Sequence, residues 1–387
     1  MYNIQTLNEI SSVGTDFFDR NLYNVSSTAE NPDAIIVRSA SMHDMAFGSN
    51  LLAIARAGAG VNNIPVDECT KQGICVFNTP GANANAVKEL VIAGLLLSSR
   101  KISEALTWVP SLKTEGDAVG KLVEKGKSQF AGPEIMGKTL GVIGLGAIGS
   151  MVANVALHLG MNVVGCDPFL SVNSALRLSP KVKCVKTPDE FYSEADYISL
   201  HLPYNADTKG FVNAETISKM KDNVRILNFA RGELVNDADM IKALEGGKVA
   251  CYVTDFPNAE IIGVKGVVAI PHLGASTPES EDNCAVMATK QLIDYIENGN
   301  IKNSVNLPDA EMTAVGTKIC IIHKNIPSII SQITTSLAGN GLNIENMLNK
   351  SKKDYAYTMI DACGGNVTDD IIASINAIDG IIKVRVI

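Results

Sequence analysis

The stretch from Lys138 to Asp167 restricts the fold of this chain more than any other. It consists of a short apolar strand, the glycine-rich turn Gly144–Gly149, a helix with apolar residues at helical spacing, and a second apolar strand that leads to Asp167. This order of strand, turn, helix, strand and acid within about 30 residues is typical of a parallel α/β unit that binds a dinucleotide. The sequence therefore predicts a doubly wound α/β domain.

The glycines of this turn have different physical roles. Gly144 permits the tight turn, Gly146 lets the backbone approach a pyrophosphate, and Gly149 lets helix and strand lie close together. The helix that follows offers unpaired N–H groups and the positive end of its dipole to the phosphates. Asp167 can accept hydrogen bonds from ribose hydroxyls and would repel a 2′-phosphate, and no arginine follows it directly. The predicted cofactor is NAD rather than NADP.

Length and composition exclude several classes of protein. A chain of 387 residues with 46% hydrophobic residues is too long for one ordinary domain and can form more than one core. The net charge of −8 provides no basic stripe for nucleic acid. No apolar run reaches the length of a membrane span, and the first ten residues lack the pattern of a signal peptide. We therefore expect a cytoplasmic protein that binds neither nucleic acid nor membrane, and no metal site is predicted.

Further strands and helices indicate how the domains are organised. Four short apolar strands precede the glycine turn, and three of them end in loops suited to ligand binding at the carboxyl edge of a sheet. Long helices predicted over 86–102 and 277–298 would connect a first domain with a second. The prediction is a discontinuous α/β substrate-binding domain, a Rossmann-like NAD-binding domain, a linker, and a ferredoxin-like βαββαβ module. Their predicted boundaries are, in that order, 1–98 plus 281–306, 99–280, 307–315 and 316–387.

Three polar residues follow predicted strands of the second domain and could carry chemistry. Hydride transfer from a hydroxy acid needs a base for the hydroxyl proton, a cation for the carboxylate, and a bound nicotinamide. His272 suits the first role and Arg231 the second, while a carboxylate such as Glu260 could orient the histidine and raise its pKa. Each also has a structural interpretation: an arginine before a glycine can cap a helix, a histidine at a strand end can be structural, and glutamates are common on surfaces.

Several motifs resemble those of the NAD-dependent D-isomer-specific 2-hydroxyacid dehydrogenases. The similar segments are Leu140–Gly149, Asp167-Pro168, His201-Leu202-Pro203, Asn228–Val235 and Pro271–Thr277. This resemblance implies that Arg231 holds the substrate carboxylate, that His272 is the general acid/base, and that Glu260 hydrogen-bonds His272. The local sequence before Glu260 departs from the family pattern, so Ala259 is an alternative alignment.

The resemblance also implies the residues that contact cofactor and substrate. Asp255 would lie near the nicotinamide carboxamide. Arg38 and Arg56 would bind a phosphate group on the substrate, although Ala40 replaces a second basic residue found in some relatives. The implied substrate-binding residues are Arg38, Arg56, Ala57, Gly58 and Arg231. The implied cofactor-binding residues are Thr79, Gly144, Gly146, Ala147, Ile148, Gly149, Asp167, Leu202, Pro203, Thr208, Phe229, Ala230, Asp255, His272 and Gly274.

The C-terminal module resembles an ACT domain, a type that often dimerises edge to edge and binds an amino acid at the seam. By this resemblance His323, Asn325 and Asn343 would bind L-serine as an effector. The alternative is that the module only braces a dimer, with the asparagines shaping turns. A homodimer or a homotetramer is expected.

For the whole chain, the resemblance implies NAD-dependent oxidation of 3-phospho-D-glycerate to 3-phosphohydroxypyruvate, the first step toward L-serine. One alternative is another D-2-hydroxyacid dehydrogenase, acting on glycerate, hydroxypyruvate or D-lactate. The other is a non-catalytic NAD(H)-sensing protein on the same scaffold.

Overall fold

The computed structural model describes residues 1–387 apart from the side chain of Asn173, and it divides into two compact units. One unit comprises Met1–Asn83 and Pro278–Ile387, and the other comprises Ala84–Thr277. These units differ from the predicted domains in two respects. The helix before residue 99 belongs to the second unit, and the C-terminal module is grouped with the N-terminal segment. The functional division into three domains stays a prediction.

The N-terminal segment forms a five-stranded parallel sheet in the order β2-β1-β3-β4-β5. The central strand β3 is entirely apolar and every one of its residues is buried, because both faces of a parallel sheet are covered. The sequence did not predict β2, an edge strand with two polar residues out of four. The elements are β1 (Tyr2–Leu7), α1 (Ser12–Thr15), β2 (Tyr23–Ser26), β3 (Ala34–Val37), β4 (Ala53–Arg56), α2 (Val66–Lys71) and β5 (Cys75–Phe77).

The second unit contains a seven-stranded parallel sheet in the order β12-β11-β10-β9-β6-β7-β8. The strand order reverses between β6 and β9, and ligands of doubly wound sheets bind at such a switch point. Short 3₁₀ helices connect several elements. The helices and strands are α3 (Ala84–Ser99), α4 (Ile102–Trp108), α5 (Val119–Gly126), β6 (Thr139–Ile143), α6 (Ala147–His158), β7 (Asn162–Cys166), α7 (Val172–Arg177), β8 (Lys183–Val185), β9 (Tyr197–Leu200), α8 (Ala214–Lys219), β10 (Val224–Asn228), α9 (Asp237–Glu245), β11 (Val249–Thr254) and β12 (Val267–Ala269).

The C-terminal part begins with a long helix and ends in the predicted βαββαβ module. The module forms an antiparallel sheet in the order β14-β15-β13-β16. The predicted fold class, two parallel α/β sheets and a small antiparallel one, is confirmed. The elements are α10 (Pro278–Asn298), β13 (Thr317–Lys324), α11 (Ile329–Gly339), β14 (Asn343–Lys352), β15 (Tyr355–Cys363), α12 (Asp369–Asn376) and β16 (Ile381–Val386).

The two central strands of the module's sheet, β13 and β15, are buried on both faces. Helices α11 and α12 cover one face, where Ile321 and Ile360 lie in the module's own core. Ile322 and Tyr357 on the other face belong to the same core cluster as Tyr295 of α10 and residues of the N-terminal sheet. The module and the N-terminal segment therefore share one hydrophobic core.

Cations of the module reinforce this shared core by donating to backbone carbonyls outside the module. Arg385 donates from Nη2 to the carbonyl of Ile296, 2.9 Å away, near the end of α10, and its guanidinium lies over the Tyr295 ring. Three lysines donate in the same way. They are Lys318 to the carbonyl of Asn298 at 2.7 Å, Lys352 to that of Ser304 at 2.9 Å, and Lys383 to that of Leu51 at 2.6 Å. Such charge-assisted bonds fix the module to its neighbour.

Candidate active site

The glycine turn lies between β6 and α6, at the switch point of the sheet. Gly144 has a φ of +92°, and a side chain there would approach the carbonyl oxygen of His201 to 2.6 Å. A Cβ at position 149 would lie 1.9 Å from the carbonyl oxygen of Gly144, so only glycine fits. Gly146 faces open space, with no described atom within 4 Å of a Cβ built there. The N-terminus of α6, with Ala147 and Ile148 in its first turn, is therefore open to an anionic ligand.

Asp167 is held beside this turn at the end of β7. Its Oδ2 accepts a hydrogen bond from the N–H of Leu145 at 2.9 Å, and its Oδ1 accepts one from the N–H of Phe169, also at 2.9 Å. The aspartate links the turn to the second strand, and each oxygen keeps a lone pair for a further donor. Phe169 is 91% exposed and supplies no positive charge. This arrangement fits an adenosine ribose with a free 2′-hydroxyl.

The ends of β9 and β10 supply the next group of predicted cofactor-binding residues. After β9, Thr208 donates from Oγ1 to the carbonyl of Pro203 at 2.7 Å and so closes the loop that follows Leu202. After β10 come Phe229 and Ala230. These segments emerge at the same carboxyl edge of the sheet as the glycine turn.

Asn228 is a residue that the sequence analysis missed. It is fully buried at the end of β10, and its Nδ2 donates to the carbonyl of Arg231 at 2.9 Å. Its Oδ1 accepts from the N–H of Ala230 at 3.3 Å. A buried amide thus shapes the turn that presents Arg231. The available signal was an asparagine at the end of an otherwise apolar strand, where a buried polar side chain needs such partners.

Asp255 lies close to both Arg231 and His272. It follows β11, is only 1% exposed, and accepts a hydrogen bond on Oδ2 from the N–H of Gly274 at 3.2 Å. Burial raises the pKa of the Asp255 carboxyl, while the nearby His272 and Arg231 partly oppose this rise. Its Oδ1 is buried and has no hydrogen-bond partner among the described residues. A buried oxygen without a hydrogen-bond partner is unfavourable in free energy, so a hydrogen bond from the carboxamide N–H of a nicotinamide to this Oδ1 would be favourable.

His272 and Glu260 are both exposed in this structure. The His272 ring lies 4.7 Å from the Phe256 ring, centroid to centroid, at 46°. Glu260 is in the loop after β11, where its N–H donates to Oδ1 of Asn258 at 3.0 Å. No hydrogen bond joins Glu260 to His272 in the described part of the chain. The structure therefore brings Arg231, Asp255 and His272 together, but it does not place Glu260 in contact with the histidine.

The predicted phosphate-binding arginines lie in the other unit, at the carboxyl ends of neighbouring strands. Arg38 follows β3, and Arg56 ends β4 and donates from Nε to the carbonyl of Arg38 at 3.0 Å. Gly58 has a φ of +152°, and a Cβ there would lie 1.7 Å from a guanidinium nitrogen of Arg56. Arg38 forms an ion pair of 2.5 Å with Glu281 of α10.

Two predicted ligand residues of this unit are buried. Ala57 continues the sheet, its N–H donating to the carbonyl of Val37 at 2.8 Å. Thr79 is fully buried after β5, and its hydroxyl has no hydrogen-bond partner among the described residues. A buried hydroxyl in this state is available to a ligand.

Within one chain, the predicted effector residue Asn343 lies far from the other two, His323 and Asn325. His323 is 1% exposed, and its nitrogens contact the carbonyl of Lys324 at 2.7 Å and Oγ1 of Thr358 at 2.8 Å. Burial lowers the pKa of His323. Asn325 donates from Nδ2 to the carbonyl of Lys353 at 3.2 Å. Asn343 lies opposite Cys363, whereas His323 lies opposite Ala356. At about 3.3 Å per residue this separates the two along the sheet by about 23 Å.

The combination of switch-point glycine turn, strand-end acid and buried aspartate is typical of a domain that binds a nicotinamide dinucleotide. Residues 92–274 match the family model of the D-isomer-specific 2-hydroxyacid dehydrogenases, NAD-binding domain. This segment is therefore similar to the NAD-binding domain of that class, and its cofactor is NAD.

The chain is also similar in sequence to curated proteins that carry the name D-3-phosphoglycerate dehydrogenase. D-3-phosphoglycerate dehydrogenase of Synechocystis is 37% identical over 286 residues, which cover 71% of this chain and 49% of that protein. D-3-phosphoglycerate dehydrogenase 1 of Saccharomyces cerevisiae is 27% identical over 367 residues, covering 87% of this chain and 74% of the yeast protein. The chain thus spans about half the length of the first curated relatives it matches.

Among solved structures, NAD⁺-bound 3-phosphoglycerate dehydrogenase of Entamoeba histolytica is similar to this chain. Its TM-score is 0.61 at 27% identity, and the match covers 79% of this chain and 98% of that one. No helix among the described residues has the length and apolar character needed to span a bilayer.

Proposed function

We propose that this chain is a cytoplasmic NAD-dependent dehydrogenase that oxidises 3-phospho-D-glycerate to 3-phosphohydroxypyruvate. The observation that carries the proposal is the grouping of Arg231, His272 and the buried Asp255 at the carboxyl edge of the NAD-binding sheet. These residues supply a cation for a carboxylate, a proton acceptor, and an anchor for the nicotinamide amide. The relatives that carry the name D-3-phosphoglycerate dehydrogenase support the choice of substrate.

The glycine turn, Asp167 and Asp255 would hold NAD, and the nicotinamide would supply the acceptor for the hydride that leaves C2 of the substrate. Arg231 binds the carboxylate and so fixes C2 relative to the cofactor. His272 accepts the hydroxyl proton as the C–H bond breaks, which leaves the neutral ketone and an imidazolium that releases its proton to solvent. Asp255 holds the segment of Gly274 through a backbone N–H and retains a free acceptor for the carboxamide. Glu260 is proposed as the carboxylate partner of His272 once ligands are bound.

The arginines at the ends of β3 and β4 are the proposed partners of the substrate phosphate. Arg38 and Arg56 are joined through the Arg38 carbonyl, and Gly58 leaves room for the Arg56 guanidinium. Guanidinium groups suit phosphate oxygens because they donate several hydrogen bonds in one plane.

We further propose that the enzyme is a homodimer or homotetramer and that L-serine is its effector. Strand β14 is an edge strand of ten residues, and such edges can join the sheets of two copies. Pairing of two modules would allow Asn343 of one copy to approach the His323 end of another. If the His323 ring is to bind serine, it must first give up its hydrogen bonds to the carbonyl of Lys324 and the hydroxyl of Thr358.

The test of the proposed function is NADH formation when 3-phospho-D-glycerate is added to the purified protein with NAD and a trap for the keto product. We expect turnover with this substrate and little with D-glycerate or D-lactate, because these lack the phosphate. Preference for an unphosphorylated acid would contradict the proposed substrate.

The same assay with L-serine added tests the effector site. Inhibition by L-serine would support that site, and activity that does not change with serine would favour a module that only braces the fold.

Replacing Asp167 with asparagine is expected to shift cofactor preference toward NADP. The substitution removes the negative charge that repels a 2′-phosphate, and we expect the ratio of kcat/KM for NADP to that for NAD to rise by about tenfold or more. Steady-state kinetics with both cofactors measures this ratio. Glu194→Gln, which changes an exposed acid in the same unit, should leave it unchanged. An unaltered ratio in the Asp167 variant would mean that this carboxylate does not select the cofactor.

A further inference from the structure

The ion pair between Arg38 and Glu281 places an acid beside one of the two arginines that the proposed function assigns to a phosphate. Oε1 of Glu281 lies 2.5 Å from Nη2 of Arg38, and the two side chains are 42% and 40% exposed. Glu281 is one of two acids in the first turn of α10. The pair faces solvent rather than the core, so it is accessible to an incoming anion.

The pair is not needed to attach α10 to the N-terminal sheet. Asp282 accepts a hydrogen bond from the Ser11 hydroxyl, and Ser280, Cys284 and Ala285 are buried. These contacts hold the start of the helix independently of Glu281. An ion pair of this exposure contributes little to stability, because water screens it and its side chains lose freedom. The negative charge of Glu281 can therefore affect the binding of an anion at Arg38 without a role in stability.

We propose that Glu281 is a specificity-determining residue that competes with the substrate's anionic group for Arg38. The inference rests on the proposed function, because it concerns the phosphate end of that substrate. A phosphate dianion that binds Arg38 and Arg56 must displace the Glu281 carboxylate or lie beside it. The acid therefore weakens binding of the phosphorylated substrate and shortens its residence, while an unphosphorylated acid does not meet this repulsion.

The variant that tests the proposal is Glu281→Gln in the full chain with NAD present. Glutamine keeps the size of the side chain and a hydrogen-bond acceptor but removes the charge. We expect the KM for 3-phospho-D-glycerate to fall by about threefold to tenfold with kcat nearly unchanged. The KM for D-glycerate should not change. Glu281→Asp, which keeps the charge, should retain the higher KM.

The matched control is Glu279→Gln, which removes the other acid from the same first turn. Glu279 is exposed, and no ion pair involving it occurs among the described residues. Its loss should leave both KM values unchanged. An equal effect of the two glutamine variants would show a general charge effect and overturn the proposal. Weaker binding of both substrates by Glu281→Gln would also overturn it, because the acid would then act only by positioning Arg38.

A binding measurement separates failure of this inference from failure of the proposed function. If the wild-type protein does not oxidise 3-phospho-D-glycerate, inorganic phosphate can be titrated calorimetrically into wild-type and variant proteins with NAD present. Tighter phosphate binding by Glu281→Gln than by wild type and Glu279→Gln would support the role of Glu281 at an anion site. Equal binding by all three proteins would overturn it.

Discussion

Replacing His272 with alanine is expected to lower kcat for 3-phospho-D-glycerate oxidation by about 100-fold to 10,000-fold. The imidazole is the proposed acceptor of the hydroxyl proton, and alanine leaves that proton without a base as the hydride departs. NAD binding should change little, because the glycine turn, Asp167 and Asp255 are held by contacts that do not include His272. Turnover rates and NADH titrations on the same preparations measure the two effects separately.

The matched control is His158→Ala, which removes an exposed histidine from the end of α6 in the same unit. This variant should keep wild-type turnover. Wild-type turnover in the His272 variant would refute the catalytic assignment. A wild-type protein that binds NADH but turns over no hydroxy acid would instead favour the sensing alternative.

The parts of this site that sequence could predict are the local ones. The glycine turn and Asp167 lie within one unit of about 30 residues, and each residue type is demanded by local geometry. Strand ends could also be located, because buried parallel strands are nearly continuous apolar runs. That reasoning led to Arg231 and His272, whose proximity to Asp255 became visible only in the structure. The role of Asn228 required knowledge of which backbone groups surround its amide.

Contacts between distant segments could not be predicted in this way. Arg38 and Glu281 are far apart in sequence, and nothing in either neighbourhood indicates that α10 brings the acid to the arginine. His323 was predicted to bind an effector because the C-terminal module resembles an ACT domain. The hydrogen bonds to Lys324 and Thr358 depend on the pairing of β13 with β15, which the local pattern does not specify.

A chain that ends at Val315, without the C-terminal module, is expected to lose the cooperative unfolding of the first unit. The truncation removes Ile322 and Tyr357 from a core that they share with Tyr295. Each large buried side chain contributes about 1.5–3 kcal/mol, so losing several of them approaches the whole stability of a typical domain. Carbonyls near the end of α10 also lose Arg385 and Lys318 as donors. We expect aggregation or a molten product, measured by circular dichroism and limited proteolysis.

A single substitution tests whether the module stabilises the first unit when the truncated chain cannot be purified. Arg385→Met retains the length of the side chain but removes two bonds to helix carbonyls and the contact with the Tyr295 ring. It should lower the free energy of unfolding by about 2–4 kcal/mol, because buried acceptors lose a charged donor. Lys350→Met, at an exposed position of the edge strand β14, should leave that free energy nearly unchanged.

These outcomes decide how an effector of the module could act. If the truncated chain folds with wild-type stability, the module is an appendage, and ligand binding there needs some other route to the dehydrogenase. If Arg385→Met destabilises the first unit, the module is part of the structure that holds the C-terminal end of α10. The same helix carries Glu281 in its first turn, paired with Arg38. A ligand that altered the module would then act on a rigid element whose other end lies at the proposed phosphate site.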